Sequence, residues 1–304
     1  PGPVKPPTAA PGPVKPPTAA PGPVKPPTAA PGTIEVEVTG LGTLRARYLI
    51  GADGMWSPTR KALGAADEPG YRGEWHACRQ YFTNVTGPAA NQLWVLFEPD
   101  LLPGYLWSFP LAGGQANVGF GILRARTTMH GAELARLWPQ LLARDHVATL
   151  LGPGAEPEAS HRAWPIPTRV GGSALSAAGG RALFVGDAAR AGDPMTGEGI
   201  AQALETGILA ARAILSAGAF HPRRAAAEYR RAVGSGLAID NRLAVFLARA
   251  LSHRKGARVA VRVASSTSWR AEHFARWMFE DYPRALPATP WRWTRHPFSH
   301  PGAF

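Results

Sequence analysis

The chain has 304 residues, of which 45% are apolar, enough for one large domain or two ordinary ones. Its single cysteine, Cys78, excludes an internal disulfide, which fits a reducing cytoplasm. The net charge is +12, but residues 31–220 carry 15 Lys and Arg against 16 acids, whereas residues 221–304 carry 15 against 5. Because the excess positive charge lies in the C-terminal segment, the sequence does not indicate a nucleic-acid-binding surface over the whole protein.

Targeting signals are not visible. No run of about 18 uncharged apolar residues occurs, and the chain starts at Pro1 without a basic n-region and an apolar h-region. We therefore expect neither a membrane span nor a signal peptide, and we expect a cytoplasmic protein.

Residues 1–30 are three copies of PGPVKPPTAA. Proline fixes φ and removes backbone donors, so we interpret residues 1–32 as a disordered, extended tail of polyproline type. A ligand for a proline-recognition domain is the alternative, because PVKPP resembles a PxxP core.

Alternating residues predict strands from Thr33 onward. TIEVEVTG and LGTLRARYLIGADG are two strands, and residues 71–125 contain four more: HACRQYFTNVT, NQLWVLFEP, GYLWSFPLA and QANVGFGIL. The glycines at 113 and 114 predict a hairpin. Residues 131–151 have helical spacing, and HRAWPIPTRV leads to a further strand, RALFVGD. A small-residue helix follows at 199–218, and a basic helical pattern runs from Pro222 to about residue 282.

The stretch at 180–200, GRALFVGDAARAGDPMTGEGI, carries the clearest chemistry. ALFVGD predicts a buried parallel strand whose carboxyl end opens onto a ligand, with Asp187 placed to accept hydrogen bonds from ligand hydroxyls. Gly197 and Gly199 would let the backbone approach a flat ring, and the following helix start offers free N–H groups to a negative charge. An ordinary strand, loop and helix with a structural Asp is the alternative.

This stretch resembles the second FAD-binding motif of the flavoprotein monooxygenase and geranylgeranyl reductase superfamily. The resemblance implies that Asp187 holds the ribityl chain and that residues 193–200 cover the isoalloxazine ring. Arg190 departs from the family pattern, which has a small residue or His there, so its role stays open between a solvent-facing side chain and one that crowds the flavin. YLIGADGMWSPTRKALG at 48–64 resembles the central motif of the same superfamily, which lies beside the dinucleotide. Ser57 and Pro58 predict a helix cap there, with Arg60 in the helix.

The segment PGYLWSFPLAGGQANVGFGIL resembles the Tyr-x-Trp-x-Phe-Pro segment of geranylgeranyl reductases. A stripe of aromatic residues on one strand face suits a long apolar isoprenoid, although such a stripe also suits a sheet core. The predicted substrate-binding residues are Tyr105, Trp107, Phe109 and Pro110. The predicted cofactor-binding residues are Asp53, Gly54, Arg60, Gly186, Asp187, Asp193, Pro194, Gly197, Glu198, Gly199 and Ile200. We name no catalytic residue, and none of the His residues has metal-ligand spacing.

No GxGxxG motif, which holds the FAD pyrophosphate in this superfamily, occurs in the chain. We therefore expect an incomplete parallel sheet that leaves ALFVGD with an unpaired edge, and weak or absent FAD binding by this polypeptide alone.

The sequence thus predicts an α/β fold: a Rossmann-like FAD/NAD(P)-binding domain, incomplete at its N-terminus, with an inserted antiparallel sheet and a helical C-terminus. The predicted boundaries are 33–70 and 160–218 for the FAD-binding domain, 71–159 for the substrate-binding sheet domain and 219–304 for the basic helical region.

The predicted function is FAD-dependent reduction of isoprenoid C=C bonds, with NAD(P)H as electron donor. A flavin monooxygenase acting on a small apolar or aromatic substrate and an inactive, truncated flavoprotein are the alternatives. The basic helices suit peripheral contact with the inner face of an anionic membrane, or a solvated surface.

Overall fold

The computed structural model describes residues 32–126, 132–270 and 285. The predicted polyproline tail lies outside these residues, apart from residue 32. The strands are β1 Ile34–Val38, β2 Gly42–Ala46, β3 Leu49–Gly51, β4 Trp75–Thr83, β5 Trp94–Leu96, β6 Tyr105–Leu111, β7 Gln115–Leu123, β8 Glu156–Pro157, β9 Arg162–Ile166, β10 Ser176–Ala177 and β11 Ala182–Phe184. The helices are α1 Pro58–Ala62, α2 Ala132–Leu142, α3 Asp145–Leu151, α4 Ile200–Ala217, α5 Pro222–Ser235, α6 Leu237–Leu251 and α7 Arg254–Ala264.

The largest sheet is antiparallel, with the order β5-β6-β7-β4-β8 and with β9 also paired to β4. The predicted hairpin joins β6 to β7, and Gly113 and Gly114 have φ values of 75° and 71°, which glycine adopts without strain. One face of this sheet packs against α2 and α3. Side chains alternate between the two faces of a strand, and Leu106, Val118 and Phe120 are buried on the face that meets these helices. Since β9 belongs to this sheet, the predicted second segment of the FAD-binding domain begins inside it.

A small sheet has the order β10-β11-β3, in which β11 and β3 are parallel with Phe184 opposite Gly51. The buried parallel strand that the ALFVGD pattern predicts is therefore present. The prediction that this strand has an unpaired edge is wrong, because β10 and β3 flank it on both sides. Within the described residues, the two edges of this sheet belong to the outer strands, β10 and β3. The two-residue strand β10 was too short to be recognised from sequence periodicity.

Two predicted elements are each divided in two. The predicted strand LGTLRARYLIGADG separates into β2, which is exposed and pairs with β1, and β3, which joins the small sheet. The predicted helix at 131–151 separates into α2 and α3, because Arg144 takes extended dihedral angles between them. Its side chain forms ion pairs with Glu98 and Asp100, so a tertiary contact accompanies the break.

Helix α4 packs one face against β11 and α5, where Ala210, Ala213 and Tyr229 are buried. Its opposite face is apolar and exposed, with Ile200 at 76% and Leu215 at 81% of full exposure. Among the described residues, α4 is the one helix that is long and apolar enough to cross a membrane. That criterion uses length and composition alone, and core helices of folded domains also meet it.

Candidate active site

The ends of β3 and β11, the loop before α4 and the first turns of α4 surround one cavity of about 570 Å³, which we call the strand-end cleft. This volume falls within the range of roughly 300–1,000 Å³ that is typical of cofactor sites. The cleft is lined by Ala52, Gly54, Ile166, Val185, Gly186, Asp187, Gly197, Gly199, Ile200, Ala203 and Leu204. Six of the eleven predicted cofactor-binding residues are in this lining.

Asp187 lies three residues after the end of β11 and carries the cleft's acidic side chain. Among the described residues, its carboxylate has no hydrogen-bond partner, and burial raises its pKa above the usual value. A half-buried carboxylate without donors is destabilised, so a ligand that brings hydroxyl or N–H donors would stabilise it. The preceding Gly186 has a φ of 56°, and its N–H donates to Thr206 Oγ1 at 2.9 Å, which ties the strand end to α4.

The loop from Asp193 to Gly199 forms a wall of the cleft and is fixed from within. The buried Asp193 carboxylate accepts hydrogen bonds from the backbone N–H groups of Met195 and Thr196, each at 2.7 Å. The Glu198 carboxylate accepts from Ile200 N at 2.8 Å, at the start of α4. Asp193 and Glu198 therefore shape the loop rather than line the cleft.

The two glycines of this loop meet different constraints. Gly197 has a φ of 72°, and a Cβ there would lie 3.4 Å from the indole of Trp75. At Gly199 a Cβ would lie 3.6 Å from Asp187 Oδ1. A side chain at Gly199 would thus fill the space beside the unpartnered carboxylate, which a flat ligand could otherwise use.

The turn after β3 forms the opposite wall. The Asp53 carboxylate accepts from Ser57 Oγ at 2.6 Å and from Thr59 N at 2.8 Å, so it supports the start of α1. Burial raises the pKa of Asp53, but these hydrogen bonds outweigh that effect and lower it. Gly54 has a φ of 79°, and a Cβ there would meet no atom within 4 Å. The predicted cap is also present, since Ser57 Oγ accepts from Arg60 N at 3.0 Å.

Arg60 does not line the strand-end cleft. Its side chain is only 4% exposed and donates to the carbonyl oxygens of Ala174 and Ala188 at 3.0 and 2.7 Å. It also forms an ion pair with Asp67 at 3.1 Å. Arg60 therefore links α1 to the segments that flank β11, and it supports the cleft without contacting its interior.

Arg190, whose role the sequence left open, neither faces solvent nor lines the cleft. It is 7% exposed, has a φ of 57°, and donates from Nε to the same Asp67 oxygen at 2.9 Å. Its guanidinium lies over the ring of Tyr71, 4.2 Å from the centroid. Two buried arginines thus share one carboxylate, and Tyr71 donates to Glu74 beside them at 2.9 Å.

The large sheet holds the 193–199 loop through two aromatic side chains. Trp75 Nε1 donates to the carbonyl of Pro194 at 3.1 Å, and Tyr105 Oη donates to the carbonyl of Thr196 at 2.7 Å. Tyr105 continues into a row of rings on one face of β6, with Trp107 and then Phe109 at centroid spacings of 6.0 and 6.1 Å.

This row lies on the sheet face opposite the core that contains α2 and α3, because the alternating Leu106 belongs to that core. On this face Tyr105 is buried next to Trp75, whereas Trp107 and Phe109 are half-buried. Pro110 follows it as the next residue of β6, opposite Ala116 of β7.

A second cavity of about 410 Å³ contacts the same loop at Pro194, and we call it the Pro194 cavity. Its walls include Leu123 of β7 and the α6 residues Val245, Ala248 and Arg249. Met195 of the loop packs against α6 as well. One loop thus borders two cavities.

The structure therefore brings together Gly54, Gly186, Asp187 and the loop end at 197–200, and it places Asp53, Arg60, Asp193, Pro194 and Glu198 in supporting positions. Sequence reasoning missed Trp75 and Asp67, whose partners Pro194 and Arg190 lie 119 and 123 residues away. Cys78 is buried, which raises its pKa to about 11. In the described part of the chain, no group of three or more His, Cys, Asp or Glu could hold a metal ion.

The chain is similar in sequence to a known protein family. A model of the FAD binding domain matches residues 28–217. The menaquinone reductase of Mycobacterium tuberculosis is 35% identical over 219 residues, which are 66% of this chain and 48% of that protein. The digeranylgeranylglycerophospholipid reductase of Methanosarcina mazei is 33% identical over 185 residues, 57% of this chain and 40% of that protein. The chain thus spans less than half the length of these relatives.

Solved structures share the fold. A geranylgeranyl bacteriochlorophyll reductase-like protein from Thermoplasma acidophilum superposes with a TM-score of 0.58 and 19% identity, over 85% of this chain and 65% of that one. The halogenase PltM, in complex with FAD, also gives a TM-score of 0.58, with 15% identity over 84% of this chain and 58% of that one. The predicted resemblance to geranylgeranyl reductases and the predicted α/β fold class are confirmed.

Proposed function

Because this chain belongs to the family of FAD binding domain proteins, we propose that it takes part in flavin-dependent reduction of C=C bonds in a polyprenyl substrate. The strand-end cleft would hold the isoalloxazine and ribityl parts of FAD. The observation that carries this proposal is the unpartnered Asp187 carboxylate, which lies next to Gly199 in the lining of a cavity of about 570 Å³.

The residues present fit a flavin. Asp187 would accept hydrogen bonds from ribityl hydroxyls, which relieves the cost of its burial. Gly54 and Gly199 would keep side chains out of the space that a planar ring needs, and Gly197 leaves room for the indole of Trp75 behind the loop. The N-terminus of the 18-residue helix α4 lies at the cleft, and its positive dipole end would stabilise negative charge on a ligand there.

A polyprenyl substrate accounts for the apolar features near the loop. Menaquinone and digeranylgeranylglycerophospholipid, the compounds in the relatives' names, both carry polyprenyl chains. The Pro194 cavity and the aromatic row of Tyr105, Trp107 and Phe109 offer apolar surface close to the 193–199 loop. We assign Pro110, at the end of this row, to the same substrate surface.

The reduction adds a hydride and a proton across the C=C bond, and bound flavin supplies the hydride. The protein's part is to exclude water with apolar walls, to orient the polyprenyl substrate along the 193–199 loop and to hold that loop through Trp75 and Tyr105. We propose NAD(P)H as the electron donor and a cytoplasmic site of action at the inner face of a membrane.

Flavin binding is tested by titrating the purified chain with FAD and following the quenching of flavin fluorescence. Gly199→Val should weaken binding at least about tenfold, because the added carbons occupy the space beside Asp187. Gly207→Val is the matched control, since a Cβ at Gly207 of α4 would meet no atom within 4 Å. Equal affinity of the two variants would contradict the placement of the flavin.

The reaction type is tested with a polyprenyl substrate and reduced flavin under anaerobic conditions. Saturation of a C=C bond without O2 is the expected result. Strict dependence on O2 would instead support a monooxygenase, and no turnover with bound flavin would support an inactive flavoprotein; either outcome overturns the reductase proposal.

A further inference from the structure

Helices α6 and α7 combine exposed apolar and basic side chains in a way that the flavin cleft does not explain. On α6, Phe246 is 64% exposed, between the exposed Arg242 and Arg249 at four and three residues' distance. On α7, Val259 and Val263 are exposed at 60% and 55%. The exposed basic residues of α7 are Arg254, Lys255, Arg258 and Arg262.

The helical wheel shows which of these side chains point away from the buried side of each helix. On α7, Ala257 is buried. Because successive residues of a helix are rotated by about 100°, Lys255, Val259 and Arg262 lie on the side of α7 opposite Ala257. On α6, Ala244 and Ala248 are buried against Met195, which turns Arg242, Phe246 and Arg249 outward. We call the exposed residues Arg242, Phe246 and Arg249 of α6 and Lys255, Arg258, Val259, Arg262 and Val263 of α7 the basic apolar face.

Positive charge dominates the two helices of this face. Residues 237–264 contain six Arg and Lys and a single acid, Asp240, whose Oδ1 accepts from Ala285 N at 2.8 Å. Within the described residues, Arg258 and Arg262 have no acidic side chain at ion-pair distance. An ordinary solvated helix face carries mixed charges and few exposed Val or Phe side chains. A face with one sign of charge and several exposed apolar side chains therefore indicates a binding surface.

We propose that the basic apolar face docks on the surface of an anionic lipid bilayer, with Phe246 and the α7 valines inserted among the acyl chains and the arginines among the headgroups. Charge complementarity selects this partner, since a second copy of the same positive face would be repelled. The exposed apolar residues distinguish a bilayer from a nucleic acid, whose phosphates would need only the arginines.

The face also lies next to two cavities. Arg249 of the basic apolar face lines the Pro194 cavity, and Arg258 and Arg262 line a cavity of about 430 Å³ beside Phe97. Docking would therefore place the mouths of both cavities close to lipid. The role of docking in substrate delivery rests on the proposed function, whereas docking itself does not.

The test is co-sedimentation of the full chain with vesicles of pure phosphatidylglycerol or pure phosphatidylcholine. We expect binding to the anionic vesicles that falls with added salt. Arg258→Glu combined with Arg262→Glu should lower this affinity at least about tenfold. Arg223→Glu combined with Arg231→Glu makes the same charge change at exposed positions of α5 and should change it less than about threefold.

A second pair of variants tests insertion. Phe246→Ser combined with Val259→Ser should weaken vesicle binding at least about fivefold and leave binding to duplex DNA unchanged. These residues are exposed, so folding is expected to be retained and is checked by circular dichroism. Equal losses in the α5 control, equal binding to both vesicle types, or binding to DNA but not to vesicles would each overturn the proposal. Because no flavin or turnover is needed, this outcome is independent of the tests of the proposed function.

Discussion

The hydrogen bond from Tyr105 to the 193–199 loop gives the sharpest test of how the cleft is held. Tyr105 is buried, and its Oη donates to the carbonyl of Thr196 at 2.7 Å. Tyr105→Phe keeps the ring and its packing against Trp75 and Trp107, but it leaves that carbonyl without this donor. An unsatisfied buried carbonyl costs about 1–3 kcal/mol, so the free energy of unfolding should fall by about that amount.

Part of this loss should appear in flavin binding. The loosened loop must be ordered again when flavin binds. If that step costs the full 1–3 kcal/mol, the affinity for flavin should fall about 5- to 150-fold. Urea unfolding and fluorescence titration measure the two quantities separately. Tyr48→Phe is the control, since Tyr48 donates to the carbonyl of Gly218 at 2.7 Å, at the far end of α4. It should lower stability without changing flavin affinity. Unchanged affinity in Tyr105→Phe, or an equal loss in Tyr48→Phe, would refute the coupling.

Three further predictions concern charge and backbone. Asp67→Asn leaves two buried guanidinium groups without their carboxylate and should cost about 3–5 kcal/mol in urea unfolding, whereas Glu228→Gln, in an exposed pair, should leave stability nearly unchanged. Burial raises the folded-state pKa of Asp187, so its charged form lowers stability above the unfolded-state value of about 3.9. Asp187→Asn should therefore raise the melting temperature of the flavin-free chain at pH 7, lose that gain below about pH 4, and weaken flavin binding. Gly197→Ala should cost about 1–2 kcal/mol because its φ is 72°, whereas Gly207→Ala should be neutral or stabilising.

The features that the sequence could predict are those that neighbouring residues determine. The strand that ends at Asp187, the glycine turn at Gly54 and the Ser57 cap all depend on contacts within a few residues. The hairpin at Gly113 is equally local, because two adjacent positive φ values require glycine there. Such patterns repeat between proteins, and they placed the walls of the cleft correctly.

The features that the sequence could not predict depend on distant pairs. Arg190 is buried because Asp67, 123 residues earlier, accepts its hydrogen bonds, and nothing near Arg190 in the sequence indicates this. Trp75 supports Pro194 across 119 residues. The free sheet edge was assigned to the wrong strand for the same reason, since the pairing of β11 with both β3 and β10 is decided by tertiary structure and not by periodicity.

The position of the 193–199 loop explains why so many supporting contacts converge on it. Its glycines border the strand-end cleft, its Pro194 borders a second cavity, and its Met195 packs against α6. In the proposed function this loop borders both the flavin and the substrate, which must touch for hydride transfer, yet it has few side chains of its own with which to hold its shape. The rigidity must therefore come from outside, and the buried Asp193 together with Trp75 and Tyr105 supplies it.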